Sequence, residues 1–201
     1  MDRQGDGHGF AHHNFDPRRM QEMHRRQALF APEDFLRDLI PSPDLVLADV
    51  GCGPGFFALP AAKLLAAGRV LAIDLQQDSL DIVARDASEA GLHNVETIRA
   101  DAADLPLSAE SVDAVLMARF LNNFPQRDAI LREAWRVLRP GGRLYLVQWD
   151  RVATPMGPPL QIRIGQDEIG GILAGLGFAV RQVWPGPAPF YRVLADKSSG
   201  T

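Results

Sequence analysis

From residue 44 onward, short apolar segments alternate with longer segments in which apolar residues recur every three or four positions. The first two short segments, residues 45–50 and 69–74, are almost continuously apolar, as parallel strands are when both faces of their sheet are covered. The segment between them, residues 56–65, has the spacing of a helix that packs one face on a sheet. The pattern therefore predicts an α/β fold with alternating strands and helices.

The rest of the chain continues this alternation. Further strands are predicted at residues 95–99, 111–118, 143–149, 178–184 and 190–195, and further helices at residues 77–90, 126–138 and 166–176. Residues 139–142 have the sequence Arg-Pro-Gly-Gly and predict a sharp turn before the fifth strand. Only residues 185–189 join the last two strands, which is too short for a parallel crossover and predicts an antiparallel hairpin. The predicted sheet is therefore doubly wound and mostly parallel, with one reversed strand.

The N-terminal part of the chain has a different pattern. Residues 1–16 are rich in Gly and His and poor in apolar residues, so we expect a flexible arm. Residues 17–39 show helical spacing in two pieces separated by Pro32, which predicts two helices before the sheet. Four of the five histidines lie here without a cysteine or spaced carboxylate beside them, so we assign no metal site: His8, His12, His13 and His24.

Composition narrows the class of protein. With 201 residues, 46% of them apolar and a net charge of −4, the chain is expected to form one globular domain, and its acidic balance argues against a nucleic-acid partner. The single cysteine, Cys52, excludes an internal disulfide and a multi-thiol metal site and fits a reducing compartment. No segment reaches the roughly 20 apolar residues of a membrane span, and the polar start lacks a signal-peptide pattern, so a cytoplasmic location is expected.

A glycine-rich turn follows the first predicted strand. Gly51, Gly53 and Gly55 lie between that strand and the next helix, where backbone can approach a ligand without a Cβ in the way and where the helix presents free N–H groups. Asp49 lies at the mouth of this turn. Its carboxylate would repel a pyrophosphate but attract the ammonium and sulfonium groups of S-adenosylmethionine. The turn therefore favours a cationic nucleoside over a dinucleotide.

Two more acids end the next two predicted strands. Asp74 lies roughly 20 residues after the glycines, where an acid can receive both ribose hydroxyls of a nucleoside. Asp101 follows the third strand and is a candidate acceptor for an adenine amino group. Because the carboxyl ends of parallel strands meet at one edge of a sheet, we expect both acids to lie near Asp49.

These motifs resemble those of class I S-adenosylmethionine-dependent methyltransferases, in particular the ubiquinone/menaquinone-biosynthesis-like (methyltransferase type 11) group. The resemblance covers residues from about 45 to 149. It rests on the sequences at residues 48–55, 73–74, 100–102, 111–115 and 133–142. It implies a Rossmann-like sheet of seven strands in the order 3-2-1-4-5-7-6, with helices on both faces and S-adenosylmethionine as the methyl donor.

The resemblance also implies roles for individual residues. The glycine turn with Asp49 would hold the methionine portion of the cofactor, Asp74 would hold the ribose, Asp101 with Ala102 would read the adenine, and Leu75 would pack on the adenine ring. The full set of implied cofactor-binding residues is Asp49, Gly51, Cys52, Gly53, Gly55, Asp74, Leu75, Asp101, Ala102, Ala118 and Arg119.

The chain departs from the family pattern after the fourth strand. Many relatives have histidine there, whereas this chain has Arg119 and Asn122. We interpret Arg119 as facing either the cofactor or an acidic acceptor, with an ordinary surface role as the alternative. If the acceptor needs a base, His24 or the neighbouring His12 and His13 are the available imidazoles, so the catalytic candidates are His24, Arg119 and Asn122. Asp113 is expected to satisfy backbone groups.

We expect one domain over residues 17–201 with three parts. Residues 17–43 form a helical cap, residues 44–149 bind the cofactor, and residues 150–201 supply a substrate-side loop, the last helix and the hairpin. A pocket wall containing aromatic or sulfur-bearing side chains would indicate an apolar acceptor, and the candidates are Phe15, Phe120, Trp149 and Met156.

The predicted function is methyl transfer to a small-molecule acceptor by in-line displacement. One alternative is a nicotinamide-dependent oxidoreductase, which would favour the spacing G-x-G-x-x-G and no acid at position 49. Another is a non-catalytic module that binds S-adenosylmethionine. We expect a monomer or a homodimer, with no nucleic-acid partner and no membrane span.

Overall fold

The computed structural model of the chain describes residues 16, 32–155, 157–186 and 188–198. The helices are α1 (Pro32–Leu39), α2 (Ala58–Leu64), α3 (Gln77–Glu89), α4 (Arg127–Val137) and α5 (Gln166–Gly175). The strands are β1 (Val46–Val50), β2 (Arg69–Asp74), β3 (Val95–Arg99), β4 (Val112–Ala118), β5 (Leu138–Trp149), β6 (Phe178–Pro185) and β7 (Phe190–Lys197). Short 3₁₀ helices lie at Leu121–Asn123 and Leu160–Ile162.

The strands form one seven-stranded sheet in the order β3-β2-β1-β4-β5-β7-β6, which confirms the predicted topology. Strands β1 to β5 pair in parallel, and β7 pairs antiparallel with both β5 and β6. The parallel strands follow from the apolar runs in the sequence, because burial on both faces requires an apolar side chain at nearly every position. The order reverses between β1 and β4, so a ligand crevice is expected at their carboxyl ends.

Helices cover both faces of the sheet and enclose two apolar cores. On one face α1, α2 and α3 bury residues such as Leu36, Ala61 and Val83 against the sheet. On the other face α4 and α5 bury residues such as Leu131 and Leu173. The arrangement holds the carboxyl edge of the sheet between two helical layers.

One predicted boundary is wrong. The sequence predicts a helix to residue 138 and a turn over residues 139–142, whereas β5 already begins at Leu138. Leu138 pairs with Val112 and Arg143 pairs with Ala114, so residues 139–142 bulge out within the strand. Proline and a left-handed Gly141, with φ of 74°, turn the backbone sharply within these four residues. Because the residues on both sides of them still pair with β4, the turn becomes a bulge inside one strand and does not end it.

Smaller differences concern the ends of elements. The first predicted helix, residues 56–65, is observed as α2 and begins two residues later because the glycine turn continues to Phe57. Of the two helices predicted before the sheet, α1 is present, and the other lies outside the described residues. The expected arm, residues 1–16, is described only at Asp16.

Candidate cofactor and acceptor site

The glycine turn after β1 has the geometry that its sequence predicts. Gly51, Gly53 and Gly55 have φ values of 72°, 52° and 86°, in the left-handed region where a Cβ is unfavourable. The N–H groups of Gly51 and Cys52 donate to the carbonyl oxygen of Ile73 at 2.8 and 3.0 Å, which fixes the turn to the end of β2. The turn therefore lies against the strand that carries Asp74.

Asp49 is the buried acid of the site. Its residue is 1% exposed, and its Oδ2 atom has no hydrogen-bond partner among the described residues. Burial, and next the charge of Asp74, raise the pKa of the Asp49 carboxyl to about 7, while a backbone hydrogen bond from Ala58 opposes the shift. A buried oxygen of this kind is costly unless a cation or donor reaches it.

Asp74 lies beside the glycine turn, as expected. Its Oδ2 accepts a hydrogen bond from the N–H of Gly53 at 2.8 Å, and its Oδ1 accepts one from the N–H of Gln76 at 2.9 Å. Strand β2 and the turn therefore act as one unit, with the carboxylate at their junction.

The residues after β3 lie next to Asp74 at the carboxyl edge of the sheet. Strand pairing places Asp74 opposite Arg99, and the N–H of Ala100 donates to the Asp74 carbonyl oxygen at 3.1 Å. Asp101 follows, exposed, with its Oδ1 accepting from the N–H of Ala103 at 2.9 Å. Leu75 is 48% exposed, so it is not a core residue and can cover a flat ligand.

Cys52 fills space in the turn. It is buried, and its thiol donates to the carbonyl oxygen of Gly53 across 3.4 Å. Burial and the nearby charges of Asp49 and Asp74 raise the pKa of the Cys52 thiol. A neutral thiol in this position is a poor nucleophile, so Cys52 acts as a small side chain that fills the turn.

The end of β4 borders the turn from the other side. Arg119 directly follows Ala118, has a φ of 63°, and its N–H donates to the Val147 carbonyl oxygen at 2.6 Å. Its guanidinium carbon lies 5.3 Å from the ring centre of Phe56 and 5.8 Å from that of Phe190. Burial lowers the pKa of Arg119 to about 10, so the group stays charged at neutral pH.

Asn122 and Asp113 have structural contacts. Asn122 is 3% exposed, and its Oδ1 accepts a hydrogen bond from the N–H of Ile164 at 3.1 Å. Asp113 accepts from the N–H of Val46 at 2.8 Å and pairs with Arg139, so it satisfies backbone groups, as expected. His12, His13 and His24 lie outside the described residues.

Sequence reasoning missed Arg163, which organises the loop after β5. Its guanidinium is buried and donates to three carbonyl oxygens and the Thr154 hydroxyl, at distances of 2.7 to 3.2 Å. It also lies 5.1 Å from the ring centre of Trp149, which packs on Phe190 at 4.5 Å. Nothing in the spacing of one arginine within a Pro- and Gly-containing loop signals this burial.

Of the four proposed pocket-wall residues, two are described. Trp149 packs within this loop, and a Cβ on Gly157 would approach its ring to 2.8 Å. The Phe120 ring packs on Gly51 and on Phe124, whose ring centre is 5.1 Å away. Phe15 and Met156 lie outside the described residues. Across the described ranges, no group of three potential metal ligands and no helix long and apolar enough to cross a bilayer is found.

Comparison with known proteins identifies similar sequences and folds. A family model described as a methyltransferase domain matches residues 48–146. Demethylmenaquinone methyltransferase from Listeria monocytogenes serotype 4a (strain HCC23) is 34% identical over 108 residues, which are 53% of this chain and 46% of that relative. Nocamycin O-methyltransferase from Saccharothrix syringae is 36% identical over 126 residues, 62% of this chain and 43% of that relative.

The chain thus spans less than half the length of these curated relatives. Among solved structures, a SAM dependent methyltransferase from Aquifex aeolicus has a TM-score of 0.82 and 28% identity, and the match covers 91% of this chain and 99% of that one. A TM-score of this size over nine-tenths of the chain shows that the two proteins share a fold.

Proposed function

Since this chain belongs to the class I S-adenosylmethionine-dependent methyltransferases, we propose that it transfers a methyl group from S-adenosylmethionine to a small-molecule acceptor. The curated relatives extend well beyond the matched region, so the activity of the whole protein is inferred from the site itself. The site favours a cationic nucleoside ligand over the nicotinamide dinucleotide of the alternative oxidoreductase.

The observation that carries the proposal is the buried Oδ2 atom of Asp49, which has no partner among the described residues. A dinucleotide phosphate would meet both this carboxylate and that of Asp74, and repulsion would weaken its binding. An ammonium group would instead donate to the oxygen and balance its charge. The glycines supply the open backbone that such a close approach needs.

The remaining assignments follow the edge of the sheet. Asp74 would hold the ribose, Asp101 with Ala102 the adenine edge, and Leu75 one face of the adenine ring. The other residues assigned to the cofactor complete its surroundings through their backbone: Gly51, Cys52, Gly53, Gly55, Ala118 and Arg119.

When bound, S-adenosylmethionine supplies a methyl group activated by its sulfonium sulfur. The chain's own residues then need to fix the direction of approach and exclude water. The Phe120 ring packs on Gly51 of the turn, and the Trp149 ring lies between Arg163 and Phe190 at the end of β5. The described residues near the turn offer no histidine, so a base, if the acceptor needs one, would come from His24 or its neighbours.

We extend the proposal to the wider organisation of the protein. Residues 17–201 form one domain, with a helical cap at 17–43, a cofactor-binding core at 44–149 and a substrate-side part at 150–201. The protein acts as a monomer or homodimer in the cytoplasm, which the single cysteine supports.

Ligand binding tests the proposal directly. Thermal unfolding and calorimetry are measured with S-adenosylmethionine, S-adenosylhomocysteine and NADH, one compound at a time. A compound that binds raises the unfolding temperature, because a ligand at about 100 times its Kd stabilises the folded state by about 2.7 kcal/mol. We expect both adenosyl compounds to bind and NADH not to bind. Binding of NADH alone, or of none of the three, would refute the proposal.

The enzyme is distinguished from a non-catalytic binding module by turnover. Incubation with S-adenosylmethionine and a panel of small hydroxylated, amino and quinone compounds should yield S-adenosylhomocysteine with at least one of them. Tight cofactor binding without turnover on any member of the panel would favour the module.

A further inference from the structure

We propose that Arg119 is the residue that selects the acceptor, and that it does so by binding an anionic oxygen conjugated to a planar ring, as in an aromatic carboxylate or a phenolate. This inference rests on the proposed methyl transfer and specifies the substrate class of the same site.

The backbone of Arg119 is in a conformation that its side chain does not favour. Its φ of 63° is left-handed, a region that residues other than glycine rarely adopt. Glu110 is the other non-glycine residue with positive φ among those described. Such strain is concentrated at functional sites, where the side chain has to point in a particular direction.

The side chain of Arg119 lies between the glycine turn and the start of β7. Phe56 directly follows the last glycine of the turn, and Phe190 begins β7 beside Trp149. Asp74 and Asp101 lie at the ends of β2 and β3, on the opposite side of β1. If the nucleoside lies along Asp74 and Asp101, the acceptor would lie on the side of β1 that carries Arg119.

The surroundings of Arg119 favour a planar anion. The rings of Phe56 and Phe190 lie near its guanidinium and would also stack on a flat acceptor. A carboxylate or phenolate oxygen of that acceptor would accept hydrogen bonds from the guanidinium with charge assistance. Burial lowers the pKa of Arg119, and an anion bound beside a buried guanidinium is attracted more strongly than one at an exposed arginine.

The test measures binding of matched probes to the protein saturated with S-adenosylhomocysteine. The probes are benzoate against benzamide and 2-naphthoate against 2-naphthamide, pairs that differ in charge more than in shape. In the unaltered protein we expect at least one carboxylate to bind about tenfold more tightly than its amide. In Arg119→Gln and Arg119→Asn that preference should disappear.

Arg132→Gln is the matched control, because Arg132 is exposed on α4 and its loss changes the net charge equally. It should keep the carboxylate preference. Arg119→Asn also tests for a purely structural role, since asparagine tolerates positive φ. We expect its thermal stability to equal or exceed that of the unaltered protein.

Several results would overturn the inference. They are equal binding of the carboxylate and amide, no carboxylate binding at about 10 mM, or a preference that survives in the Arg119 variants. A fourth result is that the variants weaken S-adenosylhomocysteine but not 5′-methylthioadenosine, which lacks the amino-acid portion. Arg119 would then bind the carboxylate of the cofactor.

The proposed function can fail separately. If S-adenosylhomocysteine does not bind the unaltered protein, the methyltransferase assignment fails first. If it binds and the carboxylate preference is absent, only the role of Arg119 fails.

Discussion

The ring of Phe120 lies against the α-carbon of Gly51, so that a Cβ at position 51 would be 2.9 Å from Cγ of Phe120. The residue that follows strained Arg119 therefore packs directly on the first glycine of the turn. Gly51 also has positive φ, so two independent constraints exclude a side chain there. The end of β4 and the glycine turn are held together by this contact.

Gly51→Ala is expected to weaken both the fold and cofactor binding. The left-handed backbone costs alanine about 1 kcal/mol, and the contact with Phe120 adds to that cost because the ring or the turn has to move. Calorimetry with S-adenosylhomocysteine should show an affinity lower by about tenfold or more.

Gly141→Ala separates the cost of the left-handed backbone from the cost of the contact with Phe120. Gly141 has a similar φ of 74°, and a Cβ there would meet nothing within 4 Å. It should lose about 1 kcal/mol in urea unfolding and bind S-adenosylhomocysteine normally. Equal affinities for the two variants would contradict a role for the Gly51 contact.

Asp49→Asn is expected to stabilise the ligand-free protein while weakening its binding of S-adenosylhomocysteine. Asp49 has a pKa of about 7 in the folded state and near 3.8 when unperturbed, so ionisation increasingly favours the unfolded state as the pH rises between these values. At about 1.4 kcal/mol per pKa unit, the gain from Asn at about pH 8 should be a few kcal/mol. It should diminish toward about pH 4.

Asp113→Asn provides the comparison for Asp49. Its carboxylate accepts a hydrogen bond from Val46 and pairs with Arg139 at the other end of the strands. The change should lower stability at about pH 8 by about 1 kcal/mol and leave ligand affinity unaltered. A destabilised Asp49→Asn at that pH would show that favourable contacts of the Asp49 carboxylate outweigh the cost of burying its charge.

How much of this molecule follows from its sequence depends on the range of the interactions involved. The strands, the hairpin and the glycine turn are encoded by residues close to one another along the chain, and local patterns predict them. The position of Asp74 at the turn is also predictable, because strand order and handedness leave few alternatives. The bulge within β5 is not predictable from local patterns, since it depends on the pairing of β5 with β4 both before and after residues 139–142.

The acceptor side of the site depends on contacts that no local pattern reveals. Asn122 resembles a polar candidate in an active-site loop, yet its side chain meets a backbone group 42 residues away. Arg119 stands at an expected position, but its strained backbone is visible only in three dimensions. Long-range contacts of single polar residues leave no periodic signal in a sequence.

Asn122→Ala is expected to act on stability and not on the cofactor. Removal of its Oδ1 leaves the buried N–H of Ile164 without that acceptor, which costs about 1–3 kcal/mol. Affinity for S-adenosylhomocysteine should stay within about twofold, because the Asn122 side chain bonds to Ile164 in the loop after β5 and not to the glycine turn. Its neighbour Asn123 is less buried, and Asn123→Ala should cost about 0.5 kcal/mol or less. A stable Asn122→Ala without activity on an acceptor would instead make Asn122 a catalytic residue.

Arg163→Lys is expected to loosen the loop over residues 150–165. The guanidinium donates to the carbonyl oxygens of Asp150, Val152 and Pro158, and a single ammonium cannot reach all three in the same geometry. The loss should be about 3 kcal/mol, and trypsin should cleave after Arg151 faster than in the unaltered protein.

Arg181→Lys is the control for this substitution. Its side chain is 66% exposed and pairs with Asp196 on the surface, so we expect a change of about 0.5 kcal/mol or less and unaltered cleavage. Because the loop lies beyond β5, Arg163→Lys should bind S-adenosylhomocysteine normally while losing affinity for any acceptor that the protein methylates. Cleavage after Arg151 at the same rate in both variants would mean that Arg163 does not hold the loop, and the acceptor wall would then have to be ordered by other contacts.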